Sequence, residues 1–164
     1  MTSTPPPFAT ADLCDEHGDT VEVLEGAFTS YGAHRHVAGS VTTLAVFEDN
    51  SLVRDAVAEP GEGRVLVIDG GGSLRRSLVG DRLAATAAER GWAGLVVDGA
   101  VRDSAVLATV ELAILARGTC PRRTVKRGEG RRDVPVRIGG VTITPGMWLA
   151  ADPDGVIVAP RPLL

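Results

Sequence analysis

Cysteine is scarce in this chain of 164 residues, which carries only Cys14 and Cys120. The two are far apart and form neither a CxxC pair nor a zinc-type spacing, which excludes a disulfide scaffold or structural zinc site and leaves two reduced thiols. No run of eighteen apolar residues occurs, and the opening MTSTPPPFATADL has neither a basic leader nor an apolar stretch. Neither a membrane span nor a secretory signal is therefore predicted, and the expectation is a soluble cytoplasmic protein. Aromatic residues make up 4% of the chain and lysine occurs once, as Lys126. What the chain does have is a 44% hydrophobic content at a length that suits one domain with a sizeable core.

Charge is unevenly placed. The net charge of -4 combines a balance of -9 over residues 1–63, where Arg35 and Arg54 are the only bases, with +5 over the remainder. Seven arginines and Lys126 fall between Arg117 and Arg137. Such a run invites a nucleic-acid reading, but it contains no aromatic residue for base stacking and is interrupted by Glu129 and Asp133. A solvated or intersubunit surface is the better expectation, with no direct nucleic-acid contact.

The hydrophobic pattern alternates between helical and strand periods. A Pro-rich start, with residues 1–9 read as a flexible arm, gives way to a helix over 10–17 and short strands near 21–24 and 40–47. Asp49 or Asn50 can cap a helix that buries Leu52, Val53, Ala56 and Val57. GEGRVLVIDG reads as a turn and a strand covered on both faces. A helix from Asp81, a strand over 94–97 and a helix from about Asp103 to Ala116 complete an α/β core. Beyond Pro121 come short alternating strands, with turns at Gly139-Gly140, Pro145-Gly146 and Asp152 to Gly155.

The segment GDRLAATAAERGWAGLVVDGAVRD has the most specific spacing. Asp81 is followed, after twenty intervening residues, by Arg102 and Asp103, each at a strand-to-helix turn. In a βαβ unit successive strand ends of one polarity lie side by side, so both turns open on the sheet edge where α/β folds place ligands. Read from the residues alone, Asp81 and Asp103 also serve as ordinary helix caps and Arg102 as an ordinary ion-pair partner. Three further features are weaker. His34 and His36 have HxH spacing but no partner cluster, which favours surface or structural roles. Gly70 to Gly72 lack a P-loop or dinucleotide ending and suit a tight turn in a pocket wall. Asp98 ends a strand, with no direction assignable to its side chain.

The chain resembles the family that joins the regulator of ribonuclease E activity A to metal-dependent 4-hydroxy-4-methyl-2-oxoglutarate aldolases, which use a D(x20)RD signature. Six blocks carry the resemblance in order: TADLCDEHGD, GSVTTLAVFEDNSLVR, GRVLVIDGGGSLRRSLVGD, GWAGLVVDGAVRD, ARGTCPR and GGVTITPGMWLAADPDGVIVAP. It implies one α/β domain over 1–164, an RraA-like swivelling β/β/α sandwich similar to phosphohistidine domains. It also implies a homotrimer, or a dimer of trimers, with sites between subunits.

The implied activity is a divalent-metal-dependent lyase that forms a pyruvate enolate, cleaving 4-hydroxy-4-methyl-2-oxoglutarate and decarboxylating oxaloacetate. Arg102 then grips the 2-oxo acid carboxylate and shares the enolate charge, because its planar fork stays cationic. Asp103 is the metal ligand, suited to magnesium or manganese, which keep several waters. The Gly80, Asp81, Arg82 and Leu83 backbone at a helix start receives the substrate, and Asp81 organises acid/base transfer through a water. An imine route would rest on Lys126 alone, so enolate stabilisation by a metal is favoured. Longer aldolases of this type carry an acidic tail beyond the last strand, so the resemblance extends more directly to decarboxylation than to cleavage of the larger substrate. The rival expectation is a non-catalytic regulator that binds and inhibits ribonuclease E, steered by the acidic first third. Regulator-type members can lack the aspartate after the arginine, which is retained here as Asp103.

Overall fold

The computed structural model describes residues 7–164. In chain order these form α1 (Thr10–His17), a single 3-10 turn, β1 (Glu22–Val23), β2 (Thr29–Ser30), β3 (Val37–Ala45), α2 (Ser51–Val57), β4 (Val65–Asp69) and β5 (Ser77–Val79). They continue with α3 (Asp81–Glu89), β6 (Gly94–Val101), α4 (Ser104–Leu107), β7 (Ala113–Thr119), β8 (Arg131–Arg132), β9 (Val136–Ile138), β10 (Val141–Ile143), β11 (Trp148–Asp152) and β12 (Gly155–Ala159).

Strands apolar at successive positions need cover on both faces, and this requirement organises the sheet. Its order is β1-β12-β11-β3-β4-β6-β7-β2, with β3, β4, β6 and β7 parallel and the outer pairings antiparallel. Side chains alternate along each strand, so β4 sends Leu66 and Ile68 to one face and Val65 and Val67 to the other. The first face packs on Val53, Ala56 and Val57 of α2 and Ala84 and Ala87 of α3. The second packs on the β9–β10 hairpin through Val136, Ile138, Val141 and Ile143. Each fully buried Leu or Ile contributes roughly 1.5–3 kcal/mol of hydrophobic stabilisation. The result is the expected β/β/α sandwich.

Helix α1 covers the far side of β11 and β12 through Leu13. Buried Asp152 fixes its start, accepting hydrogen bonds from the Thr10 N–H and hydroxyl, both at 2.7 Å. Those bonds outweigh the effect of burial and hold the Asp152 carboxyl below its ordinary pKa. The flexible arm expected over residues 1–9 lies outside the described residues up to position 6. Phe8 packs beside Leu13 and Trp148 and stands edge-on to the His36 ring, so this residue is docked before the helix begins.

The helix expected from Asp103 to Ala116 is not formed. Only Ser104–Leu107 is helical, and Ala113–Thr119 is strand β7, hydrogen-bonded in parallel to β6. The apolar run from Leu112 to Ala116 is too short for its period to separate a helix from a doubly covered strand. The sheet decides, because Ile114 and Ala116 face the helices while Ala113 and Leu115 face the hairpin. Strand β6 also runs on to Val101, past a register shift between Val97 and Ala100. This extension pairs Val101 with Val79 of β5 and sets the geometry of the site.

Candidate active site

The parallel pairing of Val79 with Val101 brings the two turns together, since each strand ends one residue before a charged turn. The Arg102 N–H donates to the Val79 carbonyl at 2.9 Å, closing the ladder. Asp103 follows in the left-handed conformation, φ 59° and ψ 39°, which aspartate tolerates better than most residues. That backbone turns its carboxylate away from its own helix and toward α3. Oδ2 accepts the Asp81 N–H at 3.1 Å and lies 3.9 Å from Arg102 Nε. Asp103 thus supplies the acceptor at the start of α3 across the sheet edge, while the Asp81 carboxylate accepts the Arg82 N–H at 2.8 Å.

Gly80 makes room for this packing, and its dihedrals do not demand glycine. Its φ of -124° is open to any residue, but a Cβ there would lie 2.8 Å from Asp103 Oδ2 and 3.4 Å from Arg102 Cγ and Nε. The expectation that the whole Gly80–Leu83 backbone receives an anion is narrowed. The Asp81 and Arg82 N–H groups are taken by carboxylates, and among the described residues the Leu83 N–H has no acceptor.

Gly80, Asp81, Arg82, Leu83, Arg102 and Asp103 line one cleft of about 810 Å³. Further lining comes from residues the sequence reading did not place here: Asn50 just before α2 and Arg54 within it, and Arg123 and Lys126 of the loop between β7 and β8. The basic run was visible in the sequence, but its destination depends on how that loop folds. Other members of the run are structural. Arg117 pairs with Asp98 at 2.9 Å and lies 3.8 Å over the Phe28 ring, and Arg132 holds Glu59 with two contacts of 2.7 Å. Asp98 therefore belongs to this internal ion pair. Lys126 is exposed, unlike the desolvated lysine an imine mechanism requires.

The weaker candidates separate from the cleft. His34 pairs with Glu111 at 2.7 Å, whereas His36 meets Phe8, so the two histidines share no site. The Gly70–Gly72 turn is tight, with Gly71 and Gly72 at positive φ, but Gly71 borders a different depression beside Asp69 and Phe47. Burial pushes the Asp69 carboxyl above its ordinary pKa, assisted by neighbouring Asp98.

The donor set can be tested against a divalent cation. Among the described residues, no group of three or more His, Cys, Asp or Glu side chains is placed to enclose a metal. Asp103 offers a carboxylate that is 39% exposed, and no described residue donates to its Oδ1. A single open carboxylate beside an arginine fits a hard cation that retains water and takes further ligands from substrate, and does not fit a zinc-type cage.

Fold and site together define an α/β sandwich with a D(x20)RD cleft at the end of paired parallel strands. The chain belongs to the RraA-like family (Aldolase/RraA), whose pattern matches residues 10–158. It is 54% identical over 157 residues to a Laribacter hongkongensis protein named "Putative 4-hydroxy-4-methyl-2-oxoglutarate aldolase", covering 96% of this chain and 99% of that one. Among solved structures, the RNA-processing inhibitor RraA from Thermus thermophilis superposes with a TM-score of 0.93 at 46% identity, covering 97% and 96% of the two chains. A Geobacillus kaustophilus structure described as S-adenosylmethionine:2-dimethylmenaquinone methyltransferase does so with 0.93 at 48% identity, covering 95% and 97%. Three different functions are attached to one fold, so chemistry has to be argued from the cleft.

Proposed function

We propose that this protein is a divalent-metal-dependent carbon–carbon lyase that forms the enolate of pyruvate, cleaving 4-hydroxy-4-methyl-2-oxoglutarate and decarboxylating oxaloacetate. The observation that carries the reading is the convergence of the Arg102 guanidinium, the Asp103 carboxylate and the Asp81 turn in one cleft. The relative named as an aldolase supports it at 54% identity over nearly the full length.

Arg102 binds the substrate's C1 carboxylate through its fork and shares the charge that develops on the C2 oxygen. Magnesium or manganese held at Asp103 would supply Lewis-acid polarisation of the 2-oxo group. Asp81, through a water, takes the proton of the C4 hydroxyl. The C3–C4 bond breaks, its electron pair passes to the C2 oxygen as enolate, and C4 becomes the carbonyl of one pyruvate. Protonation of the enolate at C3 from the water at Asp81 gives the second pyruvate. In oxaloacetate the C3–C4 bond breaks with loss of CO2, and the same enolate is protonated.

The test is pyruvate formation from both substrates with magnesium or manganese, with chelator, and with Asp103→Ala beside wild type, after subtracting metal-catalysed oxaloacetate decay. Metal-dependent turnover lost in the variant is expected. No turnover of either substrate by wild type would refute the lyase reading.

The likeness to the Thermus RNA-processing inhibitor favours one alternative, a regulator that docks on ribonuclease E. Inhibition of that nuclease surviving both chelator and Asp103→Ala would establish it. We place the protein in the cytoplasm as a homotrimer or dimer of trimers. Exposed Phe47, Leu74 and Val125 support contacts between copies, and sedimentation at low micromolar concentration tests the assembly. Among the described residues no helix is long and apolar enough to cross a membrane.

A further inference from the structure

The cleft carries more positive charge than the proposed chemistry uses. Arg54, Arg82, Arg102, Arg123 and Lys126 line it against two acids, Asp81 and Asp103. Arg102 and Asp103 are absorbed by the C1 carboxylate and the metal. Arg123 and Lys126 stand on the wall contributed by the β7–β8 loop, and among the described residues neither side chain makes an ion pair or hydrogen bond. Unpaired cations around a cleft call for an anion in it.

Their placement is fixed although their side chains are free. Thr124, between them, is buried and donates to Asn50 Oδ1 at 2.8 Å, while Asn50 donates to the Leu78 carbonyl at 3.2 Å beside Gly80. Just beyond Lys126, the Arg127 and Glu129 N–H groups donate to buried Asp49 at 2.8 and 3.2 Å. At the near end of the loop the Pro121 carbonyl lies 3.4 Å from an Arg102 guanidinium nitrogen, which joins this wall to the arginine proposed to hold C1. The loop is therefore a preorganised wall that presents two cations to the cleft.

We propose that Arg123 and Lys126 form a second carboxylate subsite, which receives the distal carboxylate of a dianionic 2-oxo acid and makes the enzyme select dianions over monoanions. The inference rests on the lyase reading above and adds the residues that recognise the far end of the substrate. Discrimination arises because a monoanion leaves both cations facing water, whereas a dianion gains two charge-assisted contacts.

The experiment compares kcat/KM for 4-hydroxy-4-methyl-2-oxoglutarate and for 4-hydroxy-2-oxopentanoate, in which hydrogen replaces the distal carboxylate. It uses wild type, Arg123→Gln, Lys126→Gln and the double variant, with solvent deuterium exchange into the pyruvate methyl group measured in parallel on wild type. Wild type is expected to prefer the dianion by about 100-fold, and the double variant to reduce that ratio to within about threefold. In wild type the dianion's kcat/KM should also fall more steeply with ionic strength than the monoanion's, a readout that needs no variant to fold. Exchange in wild type together with an unchanged preference in the double variant, or with equal salt slopes, would overturn the subsite while leaving the lyase reading intact. Absence of exchange with magnesium or manganese would refute the lyase reading, and the subsite with it.

Discussion

Asp49→Asn tests the anchoring of the cationic wall most directly. Asp49 is 2% exposed, yet its carboxylate accepts four hydrogen bonds: the Ser51 N–H at 2.9 Å, the Ser51 hydroxyl at 2.6 Å, and the Arg127 and Glu129 N–H groups at 2.8 and 3.2 Å. Burial alone would raise its pKa, but the four donors together lower it from 3.8 to about 2. Because the folded value lies below the unfolded one, the linked stability is fully present above pH 4 to 5 and is lost as pH falls toward 2. A shift of nearly two units corresponds to roughly 2–3 kcal/mol, about half of it gone by pH 3. Asparagine keeps the shape but turns an amide toward donors, leaving buried N–H groups unsatisfied, at about 2–4 kcal/mol near neutral pH. Urea unfolding of both proteins at pH 6.5 and pH 3 measures the effect. Subtracting the wild-type change removes the contributions of other depressed carboxylates such as Asp152. The gap between the proteins should narrow by at least about 1 kcal/mol at pH 3. A gap independent of pH would refute the claim that ionised Asp49 anchors the loop.

Gly80→Ala should lower kcat by about 100-fold, the order of effect of a 1 Å misplacement, because its Cβ displaces the Asp103 carboxylate. Steady-state kinetics with a thermal melt checks this, and normal kcat would contradict the packing argument. Arg102→Lys keeps the charge but loses the fork, so kcat/KM should fall by about 10²–10³. Activity within about tenfold of wild type would argue against bidentate binding. Leu66→Ala, in the core away from the cleft, should cost about 2–5 kcal/mol in denaturant unfolding with KM unchanged.

The sequence was most legible where local pattern and spacing carry the information. The apolar run from Val65 to Ile68 required a sheet covered on both faces, because its successive side chains point oppositely and none is polar. Asp81 and the Arg102–Asp103 pair were legible as neighbours because a βαβ unit sets their strand ends side by side, and the pairing of Val79 with Val101 does so here. Tertiary structure decided the rest. The Leu112–Ala116 run became a strand because the edge beside β6 was open to it, which a five-residue apolar period cannot announce. The left-handed backbone of Asp103, which turns its carboxylate onto α3, depends on a neighbour twenty-two residues away. Arg123 and Lys126 reach the cleft only because Asp49, Asn50 and Thr124 tie their loop to α2 across more than seventy residues of chain. A sequence displays charge and periodicity directly, whereas the direction of a side chain on a loop is set by hydrogen bonds to distant segments. Those bonds exist only once the sheet has brought the segments together.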